Sequence, residues 1–268
     1  MKKLRKIAAW LLVTVFAMVL MADFLAPASY ETQFRESPSA SPSQGHPLGT
    51  DELGRDRLSR LLHGSRISLL LAPAAAFLTA LIAGLVGGVA GYLGGRLERI
   101  AMGLTDLFLS LPWFFLLITV RAILPLNVSP LVSVLITFGL LGVLGWAASA
   151  RVVCAGARAL RNSDFVLQAR ACGCPRARLL LRHVLPNLRP VLLAQFWISI
   201  PVFILGEANL GLLGLGVSEP LPSWGNLLRG LESFSTLGFN PSVLAPLVLL
   251  VVVVSCFQLI LTREELPS

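Results

Sequence analysis

The chain has 268 residues, of which 55% are hydrophobic and 13% charged, and its formal net charge is +8. A soluble domain carries about 25% charged residues, so this composition excludes an ordinary water-soluble protein and predicts an integral membrane protein with lipid around it. Because the aromatic side chains lie within apolar runs and not among the arginines, the positive charge indicates cytoplasmic segments and argues against nucleic-acid binding.

The first segment combines a basic start with an apolar run over residues 7–22. This pattern fits an uncleaved first transmembrane helix, and it also fits a secretory signal peptide with small residues near Ala26 and Ala28. The apolar run is long for a signal peptide, and Pro27 separates the two alanines. We therefore expect residues 1–29 to form a cytoplasmic tail and a transmembrane helix.

The segment that follows, residues 30–66, is polar. Residues 31–45 are rich in Ser, Pro and Gln and indicate an exposed linker. Residues 46–66 carry leucines at a spacing that predicts a short amphipathic helix lying on the outer membrane surface.

Five further apolar stretches follow, over residues 67–95, 100–120, 122–150, 190–217 and 243–262. With the first helix they predict an all-α membrane protein with about six transmembrane helices. If both termini are cytoplasmic, 15 of the 22 basic residues lie inside and seven outside, as the positive-inside rule requires. The core is then residues 67–262, with a cytoplasmic loop at 151–189 and a tail at 263–268.

Small and acidic residues stand out within the apolar stretches. Gly84, Gly87, Gly88, Gly91, Gly94 and Gly95 crowd the second stretch, where small residues let helix backbones approach closely. Asp106 and Glu207 are acids in or near apolar stretches. Such acids are costly in a membrane, so they serve either the structure or a transport path.

The sequence contains no recognisable catalytic or metal-binding motif. Its only lysines are Lys2, Lys3 and Lys6, so the phosphate-binding loop GxxxxGK[ST] is absent, and no HExxH, GxSxG or CxxC occurs. We therefore expect a non-catalytic chain with no catalytic residues, no metal ligands and no cofactor of its own.

The segment at 164–186 carries the most specific motif: DFVLQARACG, then nine residues, then HVLP. It resembles the EAA loop of bacterial ABC importer permeases, which docks into a groove of the ATPase subunit. The resemblance implies an ATPase-docking role for these residues: Asp164, Phe165, Gln168, Ala169, Arg170, Gly173, Arg176, Leu185 and Pro186.

Four other motifs follow the same family order over residues 48–260: HPLGTDELGRD with GSRISL, TD with LP, GLLGLG, and PSWGN. They are similar to the second permease chain of dipeptide, oligopeptide and nickel importers in the bacterial plasma (inner) membrane. That resemblance implies a type I ABC importer permease-like fold that forms half of a translocation path. It implies four kinds of partner: membrane lipid, a second permease subunit, two ATP-binding-cassette ATPase subunits that carry ATP and Mg, and an extracytoplasmic solute-binding protein.

The sequence departs from the family pattern at Leu167 and Gln168, where an acid and an alanine are usual, and at Cys174 and Pro175. Its C-terminal tail is also short. A secondary transporter or channel, and a membrane scaffold subunit, remain as alternatives. The absence of a repeated half speaks against the first of these.

Overall fold

The computed structural model describes residues 2–125, 128–232 and 241–262. These residues are mostly helical, and their only β-type pairing is two isolated bridges, Gln33 with Arg55 and Thr50 with Asp56. The α-helices are α1 Lys2–Leu20, α2 Ala22–Leu25, α3 Arg57–Ala83, α4 Val89–Leu93, α5 Gly95–Ser110, α6 Trp113–Ile123, α7 Pro130–Leu144, α8 Trp146–Arg161, α9 Asp164–Ala171, α10 Arg176–Leu179, α11 Leu185–Asn187, α12 Arg189–Leu212, α13 Trp224–Arg229 and α14 Ala245–Leu261. Two π-helical turns, Gly84–Gly88 and Leu180–Val184, join neighbouring helices.

Four helical runs of the described residues are long and apolar enough to cross a membrane: Arg57–Leu93, Pro130–Arg161, Arg189–Leu212 and Pro241–Leu261. The pair α5 and α6, bent by 79°, makes a fifth if it is counted as one span. Each of the six predicted apolar stretches is helical over most of its described residues, which confirms the all-α membrane fold. A crossing by α1, whose first turns carry four basic residues, stays a prediction.

The predicted amphipathic helix over residues 46–66 is wrong. Residues 46–56 form turns and bridges, and Arg57 begins the long helix α3. The helix begins there because Asp56 Oδ1 accepts hydrogen bonds from the Ser59 backbone N–H (2.7 Å) and from its hydroxyl (2.8 Å). A side-chain acceptor three residues before a free backbone N–H is a helix N-cap.

Two other predicted boundaries also change. The stretch at 100–120 breaks at Leu111, whose backbone is extended before Pro112, because proline lacks an N–H and excludes the helical conformation from the residue before it. The segment at 151–189 is not a loop but largely helical, since α8 extends to Arg161 and α9, α10 and α11 follow.

The chain forms two compact units. One consists of Met1–Ala72, Leu124–Thr137 and Ile204–Ser268, and the other of Pro73–Ile123 and Phe138–Phe203. In the first unit α1 contacts α14. The buried residues of α1 recur at intervals of three and four, as one face of a helix requires: Ala8, Leu12, Val15 and Val19.

In the second unit, the glycines of the π-helical turn and α4 pack directly on α8. A Cβ on Gly87 would overlap the carbonyl oxygen of Ala150, and one on Gly91 would overlap that of Cys154 and lie 2.8 Å from the Ala157 Cβ. Gly87 and Gly91 are four residues apart, and the small residues that they face on α8 are spaced four and three apart. Small residues at such spacings let the backbones of membrane helices touch. The predicted packing role of Gly87 and Gly91 is confirmed.

Candidate functional site

The cytoplasmic segment predicted from the motif is built around α9, an eight-residue helix. Val166 is fully buried and anchors α9 in the hydrophobic cluster of the second unit, with Ala169 packed beside it. The opposite face carries Asp164, Leu167, Gln168 and Ala171, all exposed, at positions i, i+3, i+4 and i+7 of one helix face. This outward face of α9 is therefore the surface that a partner would contact first.

A glycine turn ends α9. Gly173 has φ +80°, its N–H donates to the Arg170 carbonyl (3.0 Å), and the Cys174 N–H donates to the Ala169 carbonyl (3.1 Å). This pair of bonds is a Schellman motif, which requires a left-handed residue after the helix and therefore favours glycine. Gly173 therefore forms a tight turn at the end of α9. The docking role remains a prediction.

The other residues of the motif are divided between interior and surface. Leu185 is half-buried and packs on the same cluster as Val166, and Pro186 is half-buried beside it in α11. Phe165 is 39% exposed at the flank of α9. Arg170 and Arg176 are exposed and lie around a cleft next to Gly173.

The two predicted acids occupy different environments. Asp106 is about half exposed and pairs with Arg151, with 3.2 Å between Oδ1 and Nε. Glu207 is fully buried. The two positions that looked alike in the sequence are therefore a half-exposed ion pair and an internal hydrogen-bond acceptor.

Glu207 joins three helices of the first unit. Its Oε2 accepts a bond from the Ser68 hydroxyl of α3 (2.9 Å), and its Oε1 accepts one from the Gly225 N–H of α13 (3.3 Å). The Trp224 N–H donates to the Ser68 hydroxyl oxygen (3.3 Å), and its indole N–H donates to Ser65 Oγ (2.7 Å). All four partners of this cluster are fully buried or backbone groups. A buried carboxylate that is hydrogen-bonded from two sides holds α13 against α3 and α12.

The backbone reinforces this arrangement. A Cβ on Gly225 would lie 2.6 Å from the Gly211 Cα and 2.8 Å from the Glu207 carbonyl oxygen. The GLLGLG and PSWGN motifs therefore supply two glycines, Gly211 and Gly225, that let α12 and α13 touch. Both motifs are recognisable in the sequence, but the contact between them is not.

Residues 61–263 match the family described as the binding-protein-dependent transport system inner membrane component. The chain belongs to this family. Its matched region contains α9, Asp106 and the Glu207 cluster, so the sites described above lie within the part that the family shares.

Two relatives cover most of the chain. The dipeptide transport system permease protein DppC of Bacillus subtilis is 33% identical over 83% of this chain and 68% of its own length. The oligopeptide transport system permease protein OppC of Haemophilus influenzae is 32% identical over 93% of this chain and 79% of its own length. A solved structure of the methionine ABC transporter MetNI, in inward-facing conformations, aligns with a TM-score of 0.54 at 19% identity, covering 76% of this chain and 97% of that one. The structural likeness shows a shared fold.

A network of ion pairs connects the segment just before the matched region to Glu219, which lies within that region. Arg55 binds Asp51 (2.7 Å) and Glu219 (2.7 Å), and Arg60 binds Glu219 (2.8 Å). These residues line a cavity of about 420 Å³. Asp51 thus pairs with an arginine that is close to it in the sequence. The distant partner Glu219 was not foreseen.

A second polar contact ties α2 to α3. Asp23 accepts a bond from Arg66 (2.9 Å between Nη2 and Oδ2) and one from His63 (3.1 Å). The hydrogen bond from Arg66, followed by that from His63, holds the pKa of Asp23 below its usual value. Because the folded state lowers this pKa, the contact stabilises the fold at neutral pH, and the stabilisation is lost as the pH falls through the lowered pKa.

Proposed function

We propose that the chain is the transmembrane permease subunit of an ATP-binding-cassette importer and forms half of the translocation path for peptides or a related small solute such as a nickel chelate. Membership of the transport family and the dipeptide and oligopeptide permeases among its relatives support this proposal. The observation that carries the proposal is the structure of α9: buried Val166 anchors this helix, and its opposite face is exposed.

The proposed partners are a second permease chain, two ATPase subunits and an extracytoplasmic solute-binding protein. The permease itself binds no cofactor and catalyses no reaction, and ATP and Mg stay on the ATPase subunits. An ATPase shifts the conformational equilibrium of a membrane chain only through contacts that differ between states. In this proposal the outward face of α9 and the turn at Gly173 supply those contacts, while Ala169 and Leu185 hold the segment on the core.

We expect Gly173→Asp to reduce ATPase association and solute uptake at least about tenfold, since a charge enters the docking segment and the left-handed turn is strained by about 1–2 kcal/mol. No atom lies within 4 Å of the position of the new Cβ, so the membrane core should still fold. The measurement is copurification of the ATPase subunits, together with uptake of labelled peptides at matched permease levels.

Gly95→Asp is the matched control, because Gly95 also has a positive φ of 64° and open space around its Cβ position. It carries the same strain and charge outside the motif at 164–186, so assembly and uptake should stay near the wild-type level. Normal assembly and uptake in Gly173→Asp would refute the docking role and favour a scaffold subunit.

We propose further that the protein lies in the bacterial plasma (inner) membrane with both termini cytoplasmic. In intact cells, an impermeant thiol reagent should label Ser41→Cys but not Arg178→Cys, both at exposed positions. The exposed native Cys172 must first be replaced by serine. Labelling of Arg178→Cys from outside would overturn this topology.

A further inference from the structure

Two histidines of the first unit face aspartates, and in the part of the chain that the structure describes only His63 has a bonding partner at both ring nitrogens. His46 Nδ1 lies 2.9 Å from Asp56 Oδ2. His63 Nε2 lies 3.1 Å from Asp23 Oδ1, and its Nδ1 lies 2.8 Å from the Ser59 carbonyl oxygen. His63 therefore connects α2, which carries Asp23, to its own helix α3.

Both atoms that face the His63 nitrogens are acceptors. A carbonyl oxygen has no proton to donate, and Asp23 is a carboxylate because the hydrogen bond from Arg66, followed by that from His63, holds its pKa below the usual value. A neutral imidazole has one N–H, so it donates to one of these acceptors and turns a lone pair toward the other. Only the imidazolium form, with an N–H on each nitrogen, donates to both.

Two other side chains of the described residues face the ring. The ring centroid of Tyr30 lies 5.0 Å from that of His63. Burial raises the pKa of the Tyr30 phenol, so this ring stays neutral, and an aromatic ring at such a distance favours a cation. Arg66 opposes a second positive charge, but it bonds to Asp23 Oδ2 (2.9 Å) and to carbonyl oxygens at the end of α1. Asp23 contacts both cations and thereby offsets their repulsion.

We propose that a proton-dependent clasp holds α2 against α3, in which protonated His63 donates to Asp23 and to the Ser59 carbonyl at the same time. The protonated form makes both bonds and the neutral form makes one. The clasp is therefore complete at acidic pH and loses a bond as the pH rises through the range of about 5–8 in which imidazoles titrate.

Arg66 stays charged throughout this range, so loss of the proton loosens α2 without releasing it. The His63 side chain is only 14% exposed, so water replaces little of the lost bond. Under the topology proposed above, α2 follows α1 on the extracytoplasmic side, and the clasp responds to the pH outside the cell.

The test measures deuterium uptake by the backbone amides of α2 in the full chain, purified in mild detergent with the subunits that accompany it. Uptake is followed by mass spectrometry at about pH 5 and about pH 8, and correction for the intrinsic exchange rate at each pH gives a protection factor. His63→Gln keeps an amide donor for Asp23 but cannot take up a proton. His46→Gln is the matched control, because a single donor is enough for its bond to Asp56.

We expect α2 to be at least about threefold better protected at the acidic pH in the wild-type chain and in His46→Gln, since a hydrogen bond between charged partners is lost at the higher pH. In His63→Gln the protection should be equal at both pH values and close to that of the wild-type chain at the higher pH. Equal protection of the wild-type chain at both pH values would overturn the proposal. A pH dependence that persists in His63→Gln would also overturn it, in favour of another titrating group, and so would one that disappears equally in His46→Gln.

Discussion

Replacing Glu207 by alanine is expected to destabilise the fold by about 3 kcal/mol or more and to remove most of the protein from the membrane. The Ser68 hydroxyl and the Gly225 N–H would lose their acceptor in a fully buried place, and each buried donor without a partner costs about 1–3 kcal/mol. Membrane level, thermal unfolding in detergent and solute uptake at equal expression measure the effect.

Two variants separate this explanation from a general sensitivity to losing an acid. Glu207→Gln keeps an acceptor oxygen for Gly225, and its amide can donate to Ser68 Oγ, so it should restore most of the stability. Asp106→Ala removes a half-exposed ion pair and should cost at most about 1 kcal/mol. Equal losses of stability in Glu207→Ala and Asp106→Ala would show that the buried hydrogen bonds of Glu207 do not account for the destabilisation.

Gly91→Leu is expected to prevent the second unit from folding. Even the Cβ of the new side chain would overlap the Cys154 carbonyl oxygen and lie 2.8 Å from the Ala157 Cβ. The backbone atoms of α4 and α8 must then separate, and overpacking of this kind costs about 1–3 kcal/mol or more. Protease resistance of the membrane-inserted chain and its steady-state level are the readouts.

Gly103→Leu is the control for that substitution, since no atom lies within 4 Å of its Cβ position and it also lies in a helix of the second unit. We expect its level and protease resistance to match the wild-type chain. If Gly91→Leu folded equally well, the close approach of α4 and α8 would not be needed for the stability of the unit.

The sequence predicts the local features of this protein well. Four helical runs of the described residues, which lie on predicted apolar stretches, are long enough to cross a membrane because they carry enough consecutive apolar residues. The turn at Gly173 follows from a glycine placed directly after a short helical segment, a signal that is complete within ten residues. Features of this kind depend on neighbours in the chain.

What the sequence did not predict depends on distant partners. Glu207 resembled Asp106 as an acid near an apolar stretch, and its environment was decided by Ser68, 139 positions earlier. The outward and inward faces of α9 became distinguishable only when Val166 was seen to enter a core that other helices complete. The spacing of the leucines predicts a helix that runs through Asp56, but the side chain of Asp56 caps a helix that begins at Arg57.

The charged network around residue 55 also bears on how the chain is made. Glu219 lies 164 residues after Arg55 and 159 after Arg60, so at about 5–20 residues per second the two arginines are synthesised roughly 10–30 s before their shared acid. Asp51, four residues before Arg55, is the counter-charge present throughout that interval. In a newly made amino-terminal half, Asp51 therefore partly neutralises the arginines. Glu219 completes the network after the fifth apolar stretch has been synthesised.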